Sequence, residues 1–404
     1  MSIYIVRPKE TLAARSIVLI SRKFTTASRQ SQIEEVSSLR MEDPVDQGIR
    51  RWLSDSQSRG VIHISKKKSY TKITGTTIVE MPDEEAERLR RDFPDALVLR
   101  DQQIELIRPR RSISSAKHKI KAPDLWHLRA IGIEAARKNG YKGSGRDVTI
   151  AELDTGVDPS HPELEGKIAG AYTFDVNQWE AQPMTPSQDT DGHGTHVAGL
   201  ICGNKVGVAP GVKVLSGVVI PGGYGNLSDF ILALEWAGTQ PEVKIVNMSA
   251  GIRGYLPEMR EVVADLLTVG VLPVFATGNE GRNRTRCPGN YNEVVSVGAI
   301  NRRNRVASFS SGGTLIADNH QYVVPDLVAP GVDVYSSVMG GGYEAWDGTS
   351  MATPIVSGIA ALILEKYPDI SVTDLIDELL STCKDLRQHE DRQGKGLVQI
   401  KAAL

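Results

Sequence analysis

The chain has 404 residues, and 40% of them are aliphatic, aromatic or cysteine, enough for one large domain with a substantial core plus a smaller one. Its formal net charge of -2 leaves no basic footprint for a nucleic acid or an anionic membrane surface, so partners of those kinds are not expected. No apolar run approaches the ~20 residues that span a bilayer.

The first residues, Met1-Ser-Ile-Tyr-Ile-Val-Arg-Pro-Lys-Glu, lack the basic start, apolar run and small-residue cleavage site of a signal peptide. A cytoplasmic location is the default expectation, with export by a signal-independent route left open. Cys202, Cys287 and Cys383 lie far apart and show no metal-ligand spacing. Three free thiols are expected, with one disulfide and one free thiol as the alternative.

In chain order, residues 1–108 are dense in charge and read as a small α+β domain. Residues 23–45 are polar and match no element well, whereas 46–58 suits a helix. The stretch 69–81 alternates with many Thr, Ile and Val residues, which predicts strands with a turn around Gly75. Pro82-Asp-Glu-Glu-Ala-Glu-Arg-Leu-Arg-Arg-Asp-Phe starts with proline and acids and turns basic, the charge order a helix dipole favours. Residues 96–100 and 103–107 follow as strands. Residues 109–121 are basic and Ser-rich and predict an exposed linker.

From 122 to 404, buried-strand patterns at 148–153, 213–219, 244–249 and 271–276 alternate with helical ones at 228–238 and 257–269. A long apolar helix is expected over 351–367, and Ser371-Val-Thr-Asp opens another with a capping pattern. Such alternation predicts an α/β fold, a parallel sheet flanked by helices on both faces. The 38 glycines fit the close packing of helices on such a sheet.

Four motifs carry potential chemistry. Asp154-Thr-Gly-Val-Asp follows a buried strand, at the edge where open α/β sheets bind ligands. His193 lies in Asp191-Gly-His-Gly-Thr-His-Val-Ala-Gly, between glycines that let backbone pass close by. Ser350, in Gly348-Thr-Ser-Met-Ala-Thr-Pro, opens an apolar helix whose N–H groups can stabilise an oxyanion. Asn279, in Ala276-Thr-Gly-Asn-Glu-Gly, ends an apolar strand and can donate its amide to the same charge. Taken singly, each has an ordinary structural alternative: a turn aspartate, a core histidine, an N-cap serine, a turn asparagine. His193 and His196 are three apart with no accompanying glutamate, so a metal pair is not expected.

Together, in the order Asp, His, Ser and with these flanks, the motifs resemble the subtilisin-like serine peptidases over roughly residues 122–404. Gly143-Ser-Gly, Gly207-Val-Ala-Pro and Val246-Asn-Met-Ser-Ala-Gly strengthen the likeness. The resemblance implies Asp154 as orienting acid, His193 as general base and acid, Ser350 as nucleophile and Asn279 as oxyanion donor, with no cofactor for catalysis. A lipase or esterase would carry Gly-x-Ser-x-Gly with the serine ahead of its partners, the reverse of this order. A catalytically dead relative keeping the fold is argued against by all four residues being present.

The resemblance also implies protein or peptide substrates, paired by Gly223-Tyr224-Gly225 and Ser249-Ala250-Gly251 with an extended chain. It places Arg286 near the floor of the specificity pocket, which suggests an acidic or polar preference. Solvated surface arginines, or neutralisation by Glu280, are the alternatives. Many relatives carry a calcium-binding loop where this chain has the short Leu200-Ile-Cys-Gly-Asn-Lys-Val-Gly-Val-Ala-Pro, too poor in oxygen ligands for that ion. A structural calcium elsewhere stays open. Residues 71–109 faintly resemble the inhibitory propeptide of these enzymes, which implies a zymogen with an intramolecular inhibitor; an accessory domain is the alternative.

Overall fold

The computed structural model describes residues 1–64, 71–111, 117–174, 181–317 and 319–404. Its centre is an eight-stranded sheet in the order Leu327–Pro330, Val295–Ile300, Leu272–Ala276, Val243–Met248, Thr149–Asp154, Lys213–Val218, Ile168–Thr173 and Gln182–Pro183. All neighbouring pairs are parallel except the last. Strands such as Val243–Met248 and Leu272–Ala276 are buried at every position, as expected of a parallel sheet covered on both faces. One face packs helices His193–Cys202 and Thr349–Lys366, whose residues join the larger core cluster. The other packs Leu227–Thr239 and Arg260–Thr268. The three cysteines are free thiols. No helix among the described residues is long and apolar enough to cross a membrane.

A second sheet, ordered His63–Ile64, Thr77–Met81, Ser2–Pro8 and Ala96–Arg100, is antiparallel and belongs to the first hundred residues. Helices Thr26–Glu42, Pro44–Ser58 and Asp83–Asp92 accompany it. Two expectations change here. Residues 26–42, read as fitting no element, form a 17-residue helix. Its buried face includes Arg29, Gln32 and Arg40 beside Ile33 and Val36, so the period of its apolar residues alone is broken. Gln103–Leu106 is indeed a strand, but it does not join this sheet; it pairs with elements of the larger body. Of the stretch 69–81, Thr77–Met81 forms a strand and Gly75 takes a positive φ of 57°, while 69 and 70 lie outside the described residues. The linker expected over 109–121 also falls partly outside them. Within what is described, Arg110–Arg111 pairs with Tyr343–Asp347, and Lys117 bridges to Tyr343.

Polar anchors fix this smaller unit against the larger. Glu235 accepts the backbone N–H groups of Lys72, Ile73 and Thr74 at 2.6–3.0 Å. Asp101 accepts Ser228 N at 3.0 Å and Ser228 Oγ at 2.5 Å, capping the start of the Leu227–Thr239 helix. At that helix's other end Arg29 donates to the carbonyls of Gly238 and Gln240, where a cation suits the helix dipole. It also donates to Val243 and Val269. Burial pushes its pKa down to about 9. Arg7 and Asp265 form an ion pair at 2.9 Å with both side chains fully buried. A buried pair is weak evidence for net stability, but losing one partner strands the other charge.

The central strand also carries an oddity. Glu152 is fully buried, and among the described residues neither carboxyl oxygen has a hydrogen-bond partner within normal geometry. Burial first, then the charges of Asp154 and Asp189, raise its pKa well above the carboxylate range. The folded chain therefore holds a proton that the unfolded chain releases near pH ~4.3. Stability linked to Glu152 is full below that pH and is lost as pH rises towards the folded pKa. In a Ser350→Ala background, Glu152→Gln should leave thermal stability nearly unchanged at pH 4. It should raise it increasingly as the pH is taken from 4 towards neutrality. A gap that stays constant or narrows across that range in thermal melts would contradict this reading.

Candidate active site

Asp154 is the last residue of its strand and is buried. The chain then turns at Gly156, whose φ is 104°. Gly194, in the first turn of the next helix, sits so close that a side chain there would overlap the Gly156 carbonyl. This approach brings the helix start onto the strand end. His193, the first residue of that helix, donates from Nδ1 to the Asp154 carboxylate at 2.7 and 2.9 Å. With Nδ1 holding the proton, Nε2 is left with a free lone pair. Nε2 is buried and has no partner among the described residues.

Asp189 organises the loop ahead of His193. It accepts from Thr155 Oγ1, the N–H groups of Asp191 and Gly192, and both N and Oγ1 of Thr195. Nothing local in the sequence marks Asp189, because a loop carboxylate bonded to nearby N–H groups leaves no spacing signature. His196 has partners of its own. It stacks on Trp346 with ring centres 4.3 Å apart and bonds the Glu344 carbonyl through Nε2 at 3.0 Å. Burial lowers its pKa to about 3, so it stays neutral. Among the described residues no group of three or more His, Cys, Asp or Glu side chains could hold a metal ion.

Ser350 is the second residue of helix Thr349–Lys366 and is buried. Asn279 is tied to that helix. Its Oδ1 accepts Thr349 N at 2.9 Å and Thr349 Oγ1 at 3.0 Å, which fixes the amide so that its NH₂ faces the cleft. The structure thus brings Asp154 and His193 into contact and turns Ser350 and Asn279 towards one peptide segment.

That segment is the chain's own. Gln103–Leu106 lies as the middle strand between Tyr224–Asn226 and Ala250–Arg253, antiparallel to both. Gly223, Tyr224 and Gly225 thus flank it on one side, and Ser249, Ala250 and Gly251 on the other. Ile107 N donates to Ser249 O at 3.1 Å. Ser350 Oγ donates to Ile107 O at 3.0 Å, and Asn279 Nδ2 to Arg108 O at 3.2 Å. Ile104 shares an apolar pocket with Leu227, Phe230 and Met259. The hydroxyl proton of Ser350 is spent on the Ile107 carbonyl while His193 Nε2 goes without one. This segment was legible as strand; its place in the cleft followed only from the inhibitor resemblance, because strand pairing across 120 residues has no local signal.

Arg286 takes the alternative in which Glu280 neutralises it. It is buried and its Nη2 lies 2.7 Å from Glu280 Oε1, with Nη1 donating to Gly251 O at 3.1 Å. Glu105 is a further 3.7 Å contact. Its charge is met by Glu280, and the Glu105 carboxylate beside it belongs to the segment that occupies the cleft. Arg282 is likewise committed, to Asp391 at 2.8 Å.

A carboxylate, an imidazole and a helix-start hydroxyl at one end of a parallel α/β sheet are the equipment of a serine-type hydrolase. Comparison with known proteins narrows this. The model of the subtilase family, Peptidase S8, matches residues 145–396. Subtilisin of Bacillus pumilus is 37% identical over 292 residues, covering 69% of this chain and 98% of that protein. Subtilisin E of Bacillus subtilis (strain 168) is 35% identical over 288 residues, covering 69% of this chain and 70% of that one. The chain belongs to the subtilase family and is a serine-type endopeptidase. Among solved structures, fervidolysin from Fervidobacterium pennivorans, described as a keratinolytic enzyme related to subtilisin, superposes with a TM-score of 0.68 at 22% identity. That match covers 100% of this chain and 60% of fervidolysin, and supports the fold.

Proposed function

We propose that this endopeptidase is made in a latent form, with residues 1–108 as an intramolecular inhibitor and 122–404 as the peptidase domain. One observation carries the reading: residues 103–107 lie between the two cleft strands as an extended peptide substrate would, ending with a carbonyl on the Ser350 hydroxyl. In the freed enzyme Ser350 attacks the substrate carbonyl. His193 Nε2 takes the serine proton and later passes it to the leaving amine. Asp154 holds the imidazole by Nδ1–H and stabilises its charged form. The Asn279 amide and the Ser350 backbone N–H receive the oxyanion. Water then hydrolyses the acyl-enzyme by the same proton path. These side chains supply every group the reaction needs, so no catalytic cofactor is invoked.

Latency follows from geometry. The occupied strand pairings leave no place for a substrate, and the nucleophile's proton is engaged away from its base. Release requires a cut in residues 107–121 and separation of the smaller unit, against the grip of Glu235, Asp101, Arg29 and Arg7. Intact-mass analysis tests this. Wild-type protein should convert to a species starting within 108–121, while Ser350→Ala should remain full length. Full-length wild-type protein with undiminished activity would overturn the inhibitor reading in favour of an accessory domain.

A further inference from the structure

The cleft-bound segment changes character at Arg108. Its side chain is half-exposed, yet its guanidinium is engaged by three groups. Nη1 lies 3.1 Å from Asp191 Oδ2, and Nη2 donates to the Gly222 carbonyl at 3.0 Å. The guanidinium carbon stands 5.8 Å from the centre of the Tyr224 ring. The receiving groups come from two separate loops. Asp191 is fixed by its own N–H on Asp189, and Gly222 by its N–H on Thr190 Oγ1 at 3.0 Å. Gly223 has a φ of +91°, and a side chain there would overlap the Arg108 guanidinium. The cradle therefore depends on a glycine as well as on a carboxylate.

We infer that Asp191, the Gly222 carbonyl and the face of Tyr224 form a subsite for a basic side chain of the substrate, which Arg108 fills in the latent chain. This rests on the peptidase reading above. Ser350 addresses the Ile107 carbonyl and Asn279 the Arg108 carbonyl. Whichever of the two is attacked, Arg108 adjoins the bond that breaks. A guanidinium suits the cradle better than an ammonium. Its fork reaches a carboxylate and a carbonyl at once, and its plane can lie against an aromatic ring. The subsite lies two residues from His193, so a bound basic side chain also places the substrate backbone beside the catalytic groups.

The test uses the processed enzyme and peptides of one sequence, Gln-Ile-Glu-Leu-Ile-X-Ala-Ala, in which X is arginine or its neutral isostere citrulline. Wild type should cleave next to X and prefer arginine by roughly tenfold or more in kcat/KM, the scale of a charge-assisted pair. Asp191→Asn should bring that ratio close to one, and Tyr224→Ala should reduce it in part. The two peptides cut equally well by wild type would overturn the subsite. So would Asp191→Asn slowing both while keeping the ratio, since Asp191 would then act only through the His193 loop. Cleavage of neither peptide, with no fluorophosphonate adduct on Ser350, is a different result and overturns the peptidase reading itself.

Discussion

Ser350→Ala, cut in its linker by an added protease to match processed wild type, should lower peptide turnover by about 10⁶-fold while leaving the fold and thermal stability intact. The helix start that carries Ser350 is held by Asn279 on Thr349, and among the described residues the serine side chain itself bonds only the Ile107 carbonyl. Removing the hydroxyl therefore deletes the nucleophile and little else. His193→Ala should cost about as much, and the double variant should be no worse than either single one, because the two groups act in one proton transfer. The check is kcat on a chromogenic peptide with contaminating protease excluded. Multiplying losses would mean that His193 and Ser350 work independently.

Asn279→Asp should lower kcat by roughly 10²–10³-fold with little change in KM, a magnitude known from the corresponding donor in subtilisin. Aspartate keeps an acceptor for Thr349 N–H and Oγ1, so the helix start is preserved. What disappears is the NH₂ that meets the Arg108 carbonyl. In its place stands a negative charge facing the position where the oxyanion forms. Steady-state kinetics on processed enzyme separate the two roles. Near wild-type kcat in Asn279→Asp would mean that Asn279 serves only to start the helix.

Much of the catalytic body was legible in the sequence because its signals are local. Buried strands read as apolar runs, and Ser371 caps the Val372–Ser381 helix through Asp374 N, as its pattern indicated. Asp154, His193, Asn279 and Ser350 each follow or open a regular element, so their positions could be read from flanking residues. The smaller unit was less legible for a physical reason. Its faces are buried against the larger body through charged groups, Arg7 on Asp265 and Arg29 on helix-end carbonyls, so hydrophobic periodicity does not report them. The fate of residues 103–108 depends on pairing with strands more than 100 residues away. Arg286 was placed near the pocket by resemblance with neutralisation by Glu280 as one alternative, and the 2.7 Å contact between the two side chains decides for it.

The central claim is that Ser350 is the nucleophile of a cleft that the chain's own segment closes. Fluorophosphonate labelling followed by peptide mapping addresses it most directly. Processed enzyme should carry the adduct on Ser350, and unprocessed precursor, held intact by acquiring it rapidly from inclusion bodies and refolding at low temperature, should label far more slowly. An adduct on another serine, or equal labelling of precursor and processed enzyme, would contradict the account.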